Sequence, residues 1–305
     1  MNIENSVVVN NLSVRFGEFY AVKNISFTVK KGEIFGFLGA NGAGKTTTIK
    51  VLCGVQQPTS GDVNVNGETY KDIGSLKRQI GYMSQKFTLY DDLTVFENLS
   101  FNSSLRKLDK VFFQKRVKEL LEFIGFENPL NTLVSNLPGG IKQQVSLVVS
   151  MLHDPEVIFL DEPTAGVTPY YRNKFWELIR KLSQEGKTVF VTTHYMDEAE
   201  YCDRIALMRT GEMIALDTPR NLKKNVFPEP LIEISKLNES NYSIAELKKD
   251  ENIISLLPFG SRYHLILKNK DLLKSFMNKY EGSFFIKEIE PSLEDVFVRL
   301  VEGDR

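Results

Sequence analysis

The chain has 305 residues, enough for one large domain or two modest ones with apolar cores. Its 38 Lys+Arg against 39 Asp+Glu leave a formal net charge of −1, which gives no footprint for nucleic-acid binding. Two cysteines, Cys53 and Cys202, are too few for a disulfide framework, and no run of about 18 apolar residues offers a membrane-crossing helix.

Met1 to Asn10 lack the basic-then-apolar pattern of a signal peptide, so a cytoplasmic or peripheral protein is expected. Alternating apolar residues predict half-buried strands over Val7 to Val14 and Tyr20 to Val29. Ile34 to Leu38 is a continuous apolar run, the pattern of a strand buried on both faces. A helix is expected from Gly44 to Cys53, closed by Gly54. Asn66-Gly67 signals a hairpin after a Val63/Val65 strand, and Ile80 to Met83 is another short strand.

From about Thr88 to His153 the pattern is helical: Phe113, Val117, Leu120, Leu121 and Ile124 recur at helix spacing before Gly125. Val157 to Leu160 and Thr188 to Thr192 predict buried strands around a helix from Tyr170 to Glu185. Arg204 to Met208 and Glu212 to Asp217 form a hairpin about Gly211. The expected fold is α/β, a largely parallel core sheet with a helical insertion over residues 88–155. Pro219, Pro228 and Pro230 mark a boundary between residues 1–219 and 220–305. Beyond it the order strand, helix, strand, strand, helix, strand, then a helix from Ser292 to Val301, predicts a small α+β domain of split βαβ type.

Gly39-Ala40-Asn41-Gly42-Ala43-Gly44-Lys45-Thr46 matches G-x-x-x-x-G-K-Ser/Thr between a strand and a helix. The glycines let successive N–H groups turn toward phosphates, Lys45 adds a full charge, and the Thr46 hydroxyl suits Mg²⁺. Thr47, next on the helix, belongs to the same nucleotide-binding group. Val157 to Leu160 runs into Asp161-Glu162, and a carboxylate at the end of a buried strand lies where open α/β sheets bind ligands. Asp161 is expected to hold Mg²⁺ and Glu162 to polarise the attacking water. A nucleotide triphosphate with Mg²⁺ is thus expected here, and the resemblance drawn next implies that it is ATP.

The remaining landmarks resemble those of ABC nucleotide-binding domains, a P-loop NTPase family, over residues 7–217. Gln85 is similar to the Q-loop glutamine, a further Mg²⁺ ligand and catalytic sensor; Phe16 resembles the aromatic that stacks on adenine. Leu137-Pro138-Gly139-Gly140-Ile141 stands in the signature position, Ala165-Gly166-Val167-Thr168-Pro169 resembles the D-loop, and His194 the switch histidine. The resemblance implies an antiparallel β subdomain beside the core sheet. It also implies a dimer with itself or a second ABC ATPase, in which Pro138, Gly139, Gly140 and Thr168 reach the other subunit's ATP.

Together with Pro291-Ser292-Leu293-Glu294-Asp295-Val296-Phe297, the signature resembles that of stand-alone exporter ATPases. Such chains work with separate transmembrane permease subunits at the cytoplasmic face of the membrane, and the C-terminal domain is expected to be accessory or regulatory. Three departures stand out: Pro138 replaces the signature serine and Ile141 its glutamine, while Thr168 replaces the D-loop aspartate. A lost charge-assisted donor is worth about 1.5–3 kcal/mol, so weaker ATP-driven dimerisation is expected. Two other readings stand beside export: a soluble ABC ATPase acting on ribosomes or DNA, and a nucleotide sensor with little turnover.

Overall fold

The computed structural model describes residues 5–85, 88–237 and 242–302. Its first strands follow the apolar alternation: β1 (Asn5–Phe16) and β2 (Phe19–Lys30) pair antiparallel, with Val7, Val9, Leu12 and Val14 of β1 turned inward. β3 (Ile34–Gly39) is buried at every position, as a continuous apolar run requires. α1 (Lys45–Leu52) follows, and β4 (Ser60–Val65) returns to pair with β1 in a three-stranded sheet.

The expected hairpin at Asn66-Gly67 forms only its turn. Both residues take positive φ (53° and 86°), but pairing stops at one bridge, Val65 to Glu68. Thr69 then accepts from the Lys71 N–H, and the Tyr70 hydroxyl turns in to donate to the Val51 carbonyl at the end of α1. The chain continues into a helix the periodicity did not signal, α2 (Ile73–Gln79), capped by Asp72 accepting from the Ser75 N–H.

β5 (Ile80–Met83) leads into the helical insertion, α3 (Val95–Leu105), α4 (Lys110–Ile124) and α5 (Gly139–Met151). A Thr94/Glu97 capping box opens α3, and Gly125, at φ 63°, closes α4. β6 (Val157–Asp161), α6 (Pro169–Gln184), β7 (Thr188–Thr193), β8 (Arg204–Arg209) and β9 (Glu212–Asp217) complete a six-stranded sheet. Its order is β5-β6-β7-β3-β8-β9, parallel throughout except for β9.

Five phenylalanines lock the two sheets together. Phe27 of β2 packs on Phe35 and Phe37 of β3, and Phe190 of β7 touches those and Phe159 of β6, with centroids 5.4–6.1 Å apart. Truncating one such ring to alanine costs about 3–5 kcal/mol, so this cluster fixes the sheet whose strand ends carry the site. Parallel pairing sets Leu38 beside Thr193 and Asp161 beside Thr192 at one edge of the molecule's first unit.

The chain divides into two compact units, Met1–Pro219 and Arg220–Arg305. α7 (Pro219–Val226) begins at the boundary proline. The second unit then runs β10 (Leu231–Lys236), α8 (Ile244–Leu247), β11 (Ile253–Phe259), β12 (Arg262–Leu267), α9 (Leu272–Lys279), β13 (Phe284–Ile289) and α10 (Leu293–Glu302). Its antiparallel sheet has the order β11-β12-β10-β13. Strands β10 and β11, joined by α8, have β12 between them; β12 and β13, joined by α9, flank β10. Each βαβ unit is thus split by a strand of the other.

Candidate functional site

The strand β3 ends at Gly39, and the chain loops through Ala40 to Gly44 before α1 begins. Gly44 is the N-cap of α1, in the left-handed region at φ 106°, and a Cβ there would lie 2.3 Å from the Ala21 carbonyl oxygen. Only glycine meets both demands. No side chain caps α1, so its first amides and its dipole are open to an anion.

Lys45 is nearly enclosed, 4% exposed, and its Nζ donates to the carbonyls of Gly39 (2.8 Å) and Ala40 (3.3 Å). The same nitrogen lies 3.5 Å from Glu162 Oε1. Burial pulls its pKa below the usual lysine value, and the Glu162 charge pushes back. This is a cation held where few counter-charges reach it.

Asp161, the last residue of β6, is 1% exposed. Its Oδ1 accepts from the hydroxyls of Thr46 (3.1 Å) and Thr192 (2.7 Å). Its Oδ2 is buried without a hydrogen-bond partner among the described residues. Burial raises its pKa, and the two threonine hydroxyls work against that. A buried carboxylate oxygen left unpaired beside a threonine hydroxyl is a donor set that fits a hard divalent cation.

Glu162 takes φ 49°, a conformation that costs a non-glycine residue about 1–3 kcal/mol. Its N–H donates to Thr192 Oγ1 (2.9 Å), which holds the residue there. The strain turns the carboxylate back toward β3: Oε2 accepts from Gln85 Nε2 (2.9 Å) and lies 3.1 Å from His194 Nδ1. Gln85, Glu162 and His194, named separately along the sequence, therefore meet on one carboxylate.

Phe16 and Phe19 stand exposed at the β1–β2 turn, and with Gly42, Lys45, Gln85 and Glu162 they line one cavity of about 440 Å³. Asn41, Thr46 and Thr47 line it as well. Ala43 lies beneath, its carbonyl accepting from the Gly211 N–H (3.0 Å). Phe19 had no sequence signal apart from Phe16. Its role became visible only when the turn placed both rings at the mouth.

The signature and D-loop residues are not in that cavity. Pro138 is the N-cap of α5, and its carbonyl accepts from the Ile141 and Lys142 N–H groups (2.9 and 3.0 Å). Gly139 is exposed, and a Cβ on it would meet nothing within 4 Å. Gly140 is buried against Tyr171, whose ring would lie 2.1 Å from a Cβ. Thr168 is exposed at the N-cap of α6, with Pro169 at the first helical position.

Sequence reasoning missed Glu198. This carboxylate is 1% exposed and accepts from Thr164 Oγ1 (2.5 Å) and Thr193 Oγ1 (2.7 Å), tying the chain after Glu162 to the residue before His194. Arg172 Nε lies 3.3 Å away as its counter-charge. Glu198→Ala removes the shared acceptor of two buried hydroxyls and one counter-charge of Arg172, and is expected to lower stability by about 2–4 kcal/mol, with Glu198→Gln intermediate. The only tryptophan, Trp176, is buried in the first unit, so its fluorescence during urea unfolding reads this loss. Coincident unfolding curves for the alanine variant and the unaltered chain would contradict the clamp.

Residues 22–165 match the family model for "ABC transporter". The chain is 43% identical over 235 residues to the "Probable multidrug ABC transporter ATP-binding protein YbhF" of Escherichia coli (strain K12), covering 75% of this chain but 41% of YbhF. The chain thus spans about two-fifths of the length of that relative. It is 40% identical over 294 residues, 95% of each chain, to the "Nod factor export ATP-binding protein I" of Burkholderia lata. The solved dimeric ATP-binding cassette MJ0796, in a post-hydrolysis state bound to ADP and Pi, superposes with a TM-score of 0.63 at 28% identity, covering 70% of this chain and 98% of that one. With an uncapped phosphate turn, a strained acidic strand end and a relative matched end to end, the chain belongs to the ABC transporter family of ATP-binding proteins.

Proposed function

We propose that the chain binds Mg·ATP in the cavity between Phe16 and Glu162 and hydrolyses it to drive export through separate membrane subunits. The observation that carries this reading is the meeting of Gln85 and His194 on the Glu162 carboxylate, directly beside Lys45. The α1 amides and Lys45 bind the phosphates, and Phe16 offers a flat apolar face to the base. Thr46, Asp161 and Gln85 would hold the magnesium, which when bound offsets phosphate charge. Glu162 accepts the proton of the attacking water, and His194 keeps that carboxylate and the water aligned. Lys45, Asp161 and Glu162 are themselves buried, which strengthens the charge interactions they make.

A second copy, or a related ATPase, completes the site. MJ0796 is a dimer in its solved form, and the open face of Gly139 at the uncapped start of α5 supports the same use here. Proline at the N-cap leaves the helix dipole and the Gly139 and Gly140 amides in place but supplies no hydroxyl. Thr168 likewise brings a hydroxyl without charge. In a Glu162→Gln background, Pro138→Ser is therefore expected to tighten ATP-driven dimerisation about ten- to hundredfold, read by sedimentation. An unchanged dimerisation constant would contradict a trans role for this position.

For the membrane partner, the support is a groove of about 570 Å³ beside the helical insertion, lined by Cys53, Val55, Lys77, Tyr82, Leu105 and Arg106. Val55 and Leu105 are exposed there and flanked by two cations, a surface suited to an amphipathic cytoplasmic segment. No helix among the described residues is long and apolar enough to cross a membrane, so this chain would act peripherally, at the cytoplasmic face. The relatives named for multidrug transport and Nod factor export favour export of small molecules over ribosome or DNA work.

A further inference from the structure

The second unit has a cavity of its own. One face of its sheet, with Ile232, Ile234, Leu265 and Leu267, turns to a core shared with Phe276 and Phe284. Strand alternation sends Leu231, His264 and Ile266 to the opposite face. α10 reaches that face through Asp295, which accepts from His264 Nδ1 at 2.5 Å. Between helix and sheet lies a space of about 240 Å³, walled by Leu231, Leu257, Phe259, Ile266 and Val298.

The charged groups around it are already matched. Arg299 donates to both oxygens of Glu229 at 2.8 and 3.2 Å. Asp295 also accepts from the Ser292 N–H (2.8 Å) and hydroxyl (2.6 Å), which fixes it as an acceptor toward the imidazole. The Phe259 ring stacks on His264 at 4.0 Å and 9°, so the imidazole is held on its face as well as its edge. With Nδ1 engaged by Asp295, Nε2 is the ring's remaining polar atom. Its nearest charged neighbour, Glu233 Oε2, is 4.0 Å away, beyond hydrogen-bond reach, and His264 is 7% exposed.

We infer that this cavity binds a small, mostly apolar molecule that makes one hydrogen bond to the His264 ring. Size sets the class. An apolar cavity of about 150 Å³ takes benzene, whereas drug-sized ligands use about 300 Å³ or more. A space of about 240 Å³ lies between them and suits two fused rings. Apolar walls supply the affinity, and the imidazole selects for a polar substituent. The ligand class is on this account small hydroxylated or amine-bearing aromatic compounds. The inference does not rest on the nucleotide reading.

The test uses the full chain with 2-naphthol and naphthalene, two probes of nearly equal shape of which only the first has a donor. Saturation-transfer NMR is expected to give saturable binding of 2-naphthol, about tenfold tighter than naphthalene, the worth of one hydrogen bond. His264→Phe keeps a ring and removes its hydrogen-bonding nitrogen, so the two probes should then bind alike. Val298→Trp fills the space and should abolish binding of both, with Mg·ATP binding in the first unit unchanged. Absence of saturable 2-naphthol binding, equal affinities in the unaltered chain, or a tenfold preference surviving in His264→Phe would overturn the inference.

Discussion

Glu162→Gln is expected to lower steady-state ATP turnover by about 10²–10⁴-fold while ATP affinity stays near that of the unaltered chain. The substitution is nearly isosteric, so the φ of 49° and the Thr192 anchor of the backbone persist. What it removes is proton acceptance. The carboxylate takes a hydrogen bond from Gln85, faces His194 at 3.1 Å and lies 3.5 Å from Lys45. These three neighbours are donors or cations, and among the described residues the nearby Asp161 is not free to replace it: one of its oxygens is engaged by two threonines and the other assigned to the cation. Turnover within twofold of the unaltered chain would show that another group accepts the proton. Retained nucleotide binding, measured beside it, separates lost chemistry from lost fold.

Lys45→Ala acts one step earlier. Its ammonium is the one cation lining the phosphate turn's cavity among the described residues, and burial already disfavours its charge. An incoming triphosphate relieves that cost by pairing with it. Removing the side chain takes away a buried charge-assisted donor, and ATP affinity is expected to fall about tenfold to more than a hundredfold. Lys45→Met, which keeps most of the stem and loses only the charge, should behave alike. A Lys45→Ala chain that binds ATP as tightly as the unaltered one would rule out the phosphate role. If the methionine variant alone bound normally, the loss in alanine would reflect packing instead.

Much of the first unit was legible because its signals are local. Ile34–Leu38 and Val157–Leu160 are apolar runs too short for helices, and a glycine-rich turn between strand and helix has few structural uses. The second unit's alternation of strands and helices was equally plain, and its order of pairing follows from two βαβ units interleaving. What the sequence hid depends on long-range placement. The Asn66-Gly67 turn promised a partner strand, but Tyr70 was drawn to α1 instead. Glu198 looked like one of many acids near a helix end. It matters because folding closes it between Thr164 and Thr193. The positive φ of Glu162 could not be read from its neighbours, since nothing local marks a glutamate for the left-handed region. Pro138 was readable as a departure, but its position as N-cap, which leaves the α5 dipole open, was not.

The account stands on a phosphate cradle formed by the α1 amides, Lys45 and the Asp161–Glu162 pair. Calorimetric titration of Mg·ATP into the purified chain tests it most directly. A saturable heat is expected, weakened when a chelator removes magnesium and lost in Lys45→Ala. No heat of binding, or the same heat with Lys45 removed, would contradict it.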